Sequence, residues 1–430
     1  MQNNYKCSKY NIVDNDDNNM IIYNAYSGNI KKVTPDIVRM LDEEAFSDID
    51  YAEFEELKSD GYIIDKSIDE DKLIDELRYK YVESPDSLLL YLLPTEQCNF
   101  RCVYCYEKFP NIWMKKETQD SIIDYVRKNI EKYRLIRVEW FGGEPLLALD
   151  IIEYISEKLI KICQENKVLY YSVMTTNAYL LDINVFYRLK KCRVMSYQIT
   201  VDGSKEIHDA QRMRVGGGET YEQIMKNLTE IKNSVKTRIL DVTLRVNVSK
   251  KLLPNIYAVI DSLRDNLLSD TRFKLKLVPV GDYGGEKVHE IENELCSMDD
   301  LKNAINYCKG LGIDMSEFQN SLSIGGNVCY ASRDNSWVIG ADGKIYKCTV
   351  ILYNDENHVG DVRANGFFDI NQSKLDKWIQ RSNIHNEKCE SCAQKPICLE
   401  TMCYKRIVLG QGAVCESLKS DVKRCMHLFC

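Results

Sequence analysis

The stretch CNFRCVYC, residues 98–105, holds three cysteines separated by three residues and then by two, with Tyr104 before the last. It directly follows SLLLYLLP (87–94), an apolar run of strand length and strand composition. Thiolates this close suit a soft metal, and the candidates are zinc and an iron-sulfur cluster. Zinc would want a fourth ligand nearby, yet neither histidine nor cysteine occurs between residues 106 and 162. A four-iron cluster held by three cysteines leaves one iron with open coordination sites, where a substrate can bind.

Outward from this loop, strands alternate with amphipathic helical segments. After SLLLYLLP come RLIRVEWF (134–141), VLYYSVMTTN (168–177), VMSYQITVDG (194–203), RILDVTLRVNV (238–248) and FKLKLVPV (273–280). Six strand-helix repeats imply an α/β fold with a parallel sheet and right-handed crossovers, either doubly wound or curled into part of a barrel. In such sheets the chemistry sits at the carboxyl ends of the strands. The three-cysteine loop lies on that edge.

Residues 1–82 read as a separate small domain. MIIYNAYSGNIKKV (20–33) forms two short strands around a Ser27-Gly28-Asn29 turn. Thr34-Pro35 supplies an N-cap and a first-turn proline for a helix that turns Ile37, Val38 and Leu41 inward. Asp50, with Glu53 three residues on, starts a second helix that ends at Asp60-Gly61. Strands with short helices resemble a winged helix, and the charged stretch SIDEDKLIDELRYK (67–80) reads as a link to the next region.

Composition bounds the function. The 430 residues are 44% apolar and 28% charged, which is globular, and the net charge of -8 argues against a nucleic-acid partner. No apolar run is long enough to cross a bilayer, and the Asp- and Asn-rich start lacks a signal peptide's basic and apolar segments, so a cytoplasmic protein is expected. Seventeen cysteines in that compartment point to metal or redox chemistry rather than disulfides. Cys163 and Cys192 fall in apolar helical patterns and read as core residues.

CNFRCVYC resembles the signature of radical S-adenosylmethionine enzymes, and the resemblance covers the alternating region, 87–285. It implies a partial (β/α)6 TIM-like barrel in which Cys98, Cys102 and Cys105 hold a 4Fe-4S cluster. The open iron then chelates the amino and carboxylate groups of S-adenosylmethionine, and one electron cleaves the sulfonium bond to give a 5'-deoxyadenosyl radical. By the same resemblance the FGGEP turn (141–145), with Gly142, Gly143 and Glu144, receives the methionine amino group. Asn177 and Thr200, at the third and fourth strand ends, contact the cofactor, as Tyr104 does at the adenine. Arg212 pairs with the methionine carboxylate, for which a planar guanidinium is suited.

After a bridging segment, 286–322, regularity falls and cysteine density rises. Cys329, Gly343 and Cys348 are followed by CESCAQKPICLETMC, with Cys389, Cys392, Cys398 and Cys403, and then by Cys415, Cys425 and Cys430. Residues 323–430 resemble the SPASM extension of radical enzymes that modify peptides, which carries two auxiliary 4Fe-4S clusters. That resemblance assigns Cys329, Cys348 and Cys403 to the first cluster and Cys389, Cys392, Cys398 and Cys415 to the second; Cys308 and Cys425 remain alternatives for a fourth ligand. The chain departs from the pattern in three ways. Four residues, LETM, separate Cys398 from Cys403 where three are usual, NSLSIGGNV (320–328) lacks the further cysteine some members carry, and Thr349 stands where sulfatase-maturing members have an aspartate. Read alone, the CxxC pairs of this tail also suit structural zinc.

Together the three regions look like a maturase of a ribosomally made precursor peptide whose leader is captured by the N-terminal domain, and which installs a cross-link, favoured as a thioether from cysteine. A flavodoxin or ferredoxin would supply electrons, with neither nucleic acid nor membrane as partner. The alternatives are a sulfatase-maturing type of SPASM dehydrogenase, another peptide modification such as a carbon-carbon or carbon-oxygen link or epimerisation, and a non-catalytic zinc scaffold.

Overall fold

Each of the six apolar runs becomes a strand in the computed structural model, which describes residues 4–16, 18–283, 288–379, 387–401, 403–410 and 415–430. They are β1 (Ser87–Leu92), β2 (Leu135–Trp140), β3 (Leu169–Thr176), β4 (Val194–Thr200), β5 (Asp241–Val248) and β6 (Phe273–Pro279). All pair in parallel, and their order across the sheet is their order in the chain. A doubly wound sheet reverses order at a switch point, whereas a barrel does not. Of the two arrangements open to the sequence, this is the barrel's.

The sheet continues beyond β1. A parallel strand, β7 (Ser336–Ile339), pairs with it, followed by the antiparallel β8 (Lys344–Tyr346), β9 (His358–Arg363) and β10 (Phe367–Ile370), to make ten strands. All four residues of β7 are buried, so its sequence, SWVI, shows no alternation. The crossover helices carry apolar stripes at three- and four-residue spacing. In Leu149–Glu165 the stripe is Ile152, Ile155, Leu159, Ile162 and Cys163, all buried. Cys163 and Cys192 are both core residues.

The chain divides into two compact units that do not follow chain order. One comprises residues 85–315 and 335–375 and contains the ten-stranded sheet; the other comprises residues 1–84, 316–334 and 376–430.

In the second unit, strands Asn11–Asp16, Asn19–Asn24 and Ile30–Val33 form an antiparallel meander. Thr34 caps the helix Pro35–Asp42 by accepting from Ile37 N, and Asp50 caps Tyr51–Ser59 by accepting from Ala52 N. Ile22 on one face of the central strand packs with Ile37, Leu41, Phe54 and Leu57 of these helices. Its neighbours Ile21 and Tyr23 face the other way, as strand periodicity requires, and join a second cluster with Ile397, Leu399, Val422 and Met426. The few apolar residues of the cysteine-rich tail thus complete a core around the N-terminal sheet. The link expected over 67–80 is instead a helix, Glu70–Arg78, because Asp69 caps it and Ile74 gives it a buried apolar position.

Candidate active site

At the carboxyl ends of the parallel strands lies a cavity of about 360 Å³. Cys98, Cys102 and Cys105 line it together with Tyr104, Gly143, Asn177, Thr200 and Arg212. The loop is fixed by an antiparallel pairing of Phe100–Cys102 with Arg212–Arg214, in which Arg212 sits opposite Cys102. Burial pushes the Cys98 thiol up to about 12, with the Glu144 charge adding to it. Burial likewise raises Cys102 and Cys105. Three soft donors held unionised in one cavity suit a metal cluster, whose positive charge replaces their protons on binding. Asn177 Nδ2 lies 4.0 Å from Cys98 Sγ, so the third strand end reaches the same loop.

The glycine turn is shaped first by its own neighbours. Gly142 and Gly143 both have positive φ, +83° and +48°. A Cβ on Gly142 would meet Leu93 at 2.4 Å, and one on Gly143 would meet the Gln97 carbonyl oxygen at 2.1 Å. Their missing side chains let the turn close against the loop that follows β1. Gly143 also faces the cavity, whereas Gly142 and Glu144 are not among its lining residues. Glu144 stands behind the wall, fully buried, and ties the turn to the end of β3. Its Oε1 accepts from Thr176 Oγ1 at 2.7 Å and Leu146 N at 3.0 Å, and its Oε2 from Asn177 N at 2.7 Å.

Arg212 is only 5% exposed. Its Nη1 donates to Tyr104 Oη at 2.8 Å, and the Tyr104 hydroxyl in turn donates to Asp202. Asn247 donates to the same hydroxyl at 3.1 Å, and its backbone N–H to Asp202 Oδ1 at 2.7 Å. Behind Asp202, His208 Nδ1 accepts from the Asp202 N–H at 3.1 Å. Burial pushes the Asp202 carboxyl above its usual range although Arg212 and Tyr104 favour the anion. Arg212 Nε is buried and has no hydrogen-bond partner among the described residues. An arginine on the lining, a glycine-bordered wall and three thiols are what an amino-acid-bearing cofactor and its cluster need, and the residues present fit both.

Sequence reasoning missed Asp202, Asn247 and Glu107. Asp202 was in view, in the VDG that ends β4, and its place at a strand end was a usable signal. Glu107 and Asn247 gave none, because one follows a loop of irregular shape and the other occupies an ordinary strand position.

In the tail, Cys389 feels the charges of Cys415 and Cys392, and Cys398 those of Cys392, Cys389 and Cys415. Burial pushes Cys398 up to about 12, and these neighbouring thiols add to the shift. Leu399 and Glu400 follow it in left-handed conformation, which turns the chain sharply after the third cysteine. Cys348 belongs to the sheet-bearing unit, in the loop after β8; its neighbours Thr349 and Val350 line the cavity, and its charge is felt by Tyr106. Cys329 and Cys403 belong to the other unit. Cys308 is fully buried in the helix Lys302–Gly310, its thiol raised chiefly by burial, and Cys425 packs in the core with Val422 and Met426.

Residues 92–248 match the family model of the radical SAM superfamily, and residues 329–393 match that of SPASM, an iron-sulfur cluster-binding domain. A cysteine-type anaerobic sulfatase-maturating enzyme of Clostridium novyi is 24% identical over 339 residues, 73% of this chain and 87% of that one. A GTP 3',8-cyclase of Sulfurimonas denitrificans is 30% identical over 183 residues, 41% of this chain and about half, 51%, of its own length. Among solved structures, anSMEcpe with bound AdoMet and Cp18Cys peptide superposes with a TM-score of 0.56 at 21% identity, over 73% of this chain and 88% of that one. Streptococcus suis SuiB bound to precursor peptide SuiA gives 0.52 at 14% identity, over 94% of this chain and 97% of that one. The order of the sheet, the three thiols at its carboxyl edge and both family models agree: the chain carries a radical SAM domain over residues 92–248 and a SPASM domain over residues 329–393, and is an enzyme of S-adenosylmethionine and 4Fe-4S clusters.

Proposed function

We propose that this enzyme matures a ribosomally made precursor peptide, installing a cross-link that we favour as a thioether from cysteine. The observation that carries the reading is the N-terminal meander. Its outer strand, Ile30–Val33, has a neighbour in the sheet on one side only among the described residues, the form of edge to which an extended leader adds as a strand. A fold likeness that spans 94% of the chain and is shared with a structure solved with its precursor peptide supports it. Holding the leader there raises the effective concentration of the core peptide at the cavity.

When bound, S-adenosylmethionine and a reduced cluster on Cys98, Cys102 and Cys105 supply a 5'-deoxyadenosyl radical. Arg212, on the cavity lining and held by Tyr104, would pair with the methionine carboxylate. Asn177 and Thr200 offer polar atoms on the opposite strand ends, while Phe100, Phe109 and Phe141 keep water from the cavity. Cys389, Cys392, Cys398 and Cys415 hold an auxiliary cluster; Cys329, Cys348 and Cys403 are assigned to a second on their sequence pattern. Electrons come from a flavodoxin or ferredoxin.

The sulfatase-maturing reading rests on the relative of that name, which this chain matches over 87% of its length. Against it, the residue lining the cavity at the position of the expected aspartate is Thr349, which has no carboxylate to act as a base.

The test is to incubate reduced enzyme and S-adenosylmethionine with the peptide encoded beside its gene, and to map the product by mass spectrometry. Loss of two hydrogens per link, with one thiol consumed, supports the thioether. The same loss with all thiols intact rejects the thioether, and an unchanged peptide beside cleaved S-adenosylmethionine rejects the peptide reading.

A further inference from the structure

Two arginines line the cavity, and only one of them has an acid of the chain beside it. Arg212 stands 3.8 Å from Asp202. Arg245, in β5, makes no ion pair among the described residues and a single hydrogen bond, from Nε to Asn247 Oδ1 at 2.8 Å. Its two Nη groups have no partner among the described residues and, unlike Arg212 Nε, are not sealed inside the protein. The N–H donors of those two groups therefore face the open space of the cavity.

The sheet brings no acid to this guanidinium. Across the strands Arg245 sits opposite Thr200 of β4 and Lys276 of β6, and its neighbours on the same face of β5 are Thr243 and Asn247. The carboxylate on the cavity lining, Glu107, is engaged elsewhere: its Oε2 accepts the Gly143 N–H at 2.5 Å, and the charges that reach it are those of Glu96 and Glu144. The Arg245 charge falls instead on Tyr106, whose ring lies 6.4 Å from that of Tyr283. A guanidinium left unanswered on the wall of a cavity calls for an anion from whatever fills the space.

The shape of that anion follows from how Arg245 is held. Asn247, whose Nδ2 donates to Tyr104 Oη at 3.1 Å, fixes one edge of the guanidinium and so aims the other. A planar fork of N–H groups aimed in this way matches a carboxylate. The methionine carboxylate is assigned to Arg212, which is paired in register with Cys102 of the cluster loop. Arg245 is grouped with Tyr106 and Tyr283, and β6, its partner strand, ends at Pro279 and Val280, so this part of the lining is aromatic and apolar and suits a peptide. We propose that Arg245 is a specificity-determining residue that takes a carboxylate of the precursor peptide, from an aspartate or glutamate side chain or from the C-terminus, and thereby selects the stretch of peptide that meets the radical. The inference rests on the peptide-maturase reading.

The probe is the peptide encoded beside the gene, made with each Asp and Glu changed in turn to Asn and Gln, and with its C-terminus amidated. Modification by the anaerobically reconstituted full chain is followed by mass spectrometry, and each enzyme's preference is the ratio of kcat/KM for the native peptide to that for an amide form. The wild type should lose about tenfold or more at one carboxylate, chiefly in KM. Arg245→Gln should show no such preference, and Arg245→Lys, which keeps the charge without the fork, should keep part of it. Because the preference is a ratio within one protein, a general loss of activity does not imitate it. Arg245→Met, a second uncharged side chain of similar length, serves if the glutamine variant does not fold. The proposal is overturned if no carboxylate of the peptide matters to the wild type, or if the preference survives in Arg245→Gln while equilibrium dialysis shows weakened S-adenosylmethionine binding, which would give Arg245 to the cofactor. It is equally overturned if the preference survives with nothing else changed. A wild type that cleaves S-adenosylmethionine and leaves the peptide unmodified is a different result, which rejects the maturase reading and this inference with it.

Discussion

Arg212 Nη1 and Asp202 Oδ2 lie 3.8 Å apart, with the Tyr104 hydroxyl bonded to both side chains. Neither charge reaches solvent: Asp202 is fully buried and Arg212 nearly so. The bridge through Tyr104 couples the three-cysteine loop to the end of β4, so that the floor of the cavity is one polar network.

Removing one partner of such a pair strands the other. Asp202→Ala should lower stability by about 3 kcal/mol, because the guanidinium stays buried with only Tyr104 and the ligand to meet it. Tyr104→Phe keeps both charges and should cost nearer 1 kcal/mol. Thermal melts of the two variants, each reconstituted, check the order.

Gly143 and Gly216 share positive φ, +48° and +82°, but only Gly143 has chain in the way of a Cβ. Gly216→Ala meets nothing within 4 Å and should cost about 1 kcal/mol of backbone strain. Gly143→Ala must displace the β1 loop and should abolish S-adenosylmethionine binding as well as lower the melting temperature. Dialysis and calorimetry on both variants separate strain from collision.

His208 makes the enzyme acid-sensitive in a defined window. Burial, helped by the Arg212 charge, pushes its imidazole down to about 3 from the ordinary 6.5. The unfolded chain therefore binds a proton between those values that the folded chain refuses. Stability from this group is full above pH 6.5 and falls as pH drops towards 3, by about 1.4 kcal/mol per unit. His208→Gln starts less stable, but its melting temperature should fall less steeply from pH 7 to pH 5 than that of the wild type.

The tail cysteines divide by environment. Cys398 is set among Cys389, Cys392 and Cys415, whereas Cys425 packs among apolar side chains. Cys398→Ala should lower the iron content from about twelve atoms per chain by about a third. Cys425→Ala should leave iron unchanged and cost about 1–2 kcal/mol of packing. Iron analysis and melting curves distinguish them.

The sequence exposed most of what builds the site, and its silences have physical causes. All six barrel strands were legible because each carries enough apolar residues to declare itself, and the caps at Thr34 and Asp50 were legible because capping is local. Strand Asn11–Asp16 was hidden, since NIVDND spells a turn in composition and becomes a strand only by pairing with Asn19–Asn24. β7 was hidden by the opposite excess, burial at every position. Ile397 and Leu399, inside the cysteine run, carry no periodic signal, yet they help to cover the N-terminal sheet. Long-range contacts of this kind leave no local period. Glu107 escaped for a related reason: a buried acid is recognisable only once its surroundings are known, whereas Asp202 at least stood at a strand end.

The central claim is that three thiols at one sheet edge hold a cluster that cleaves S-adenosylmethionine. Its most direct test is chromatographic measurement of 5'-deoxyadenosine from anaerobically reconstituted enzyme given S-adenosylmethionine and a strong reductant. The wild type should accumulate it, and the variant with Cys98, Cys102 and Cys105 all replaced by alanine should form none. Equal amounts from the two proteins, or none from a wild type with full iron content, would contradict the account.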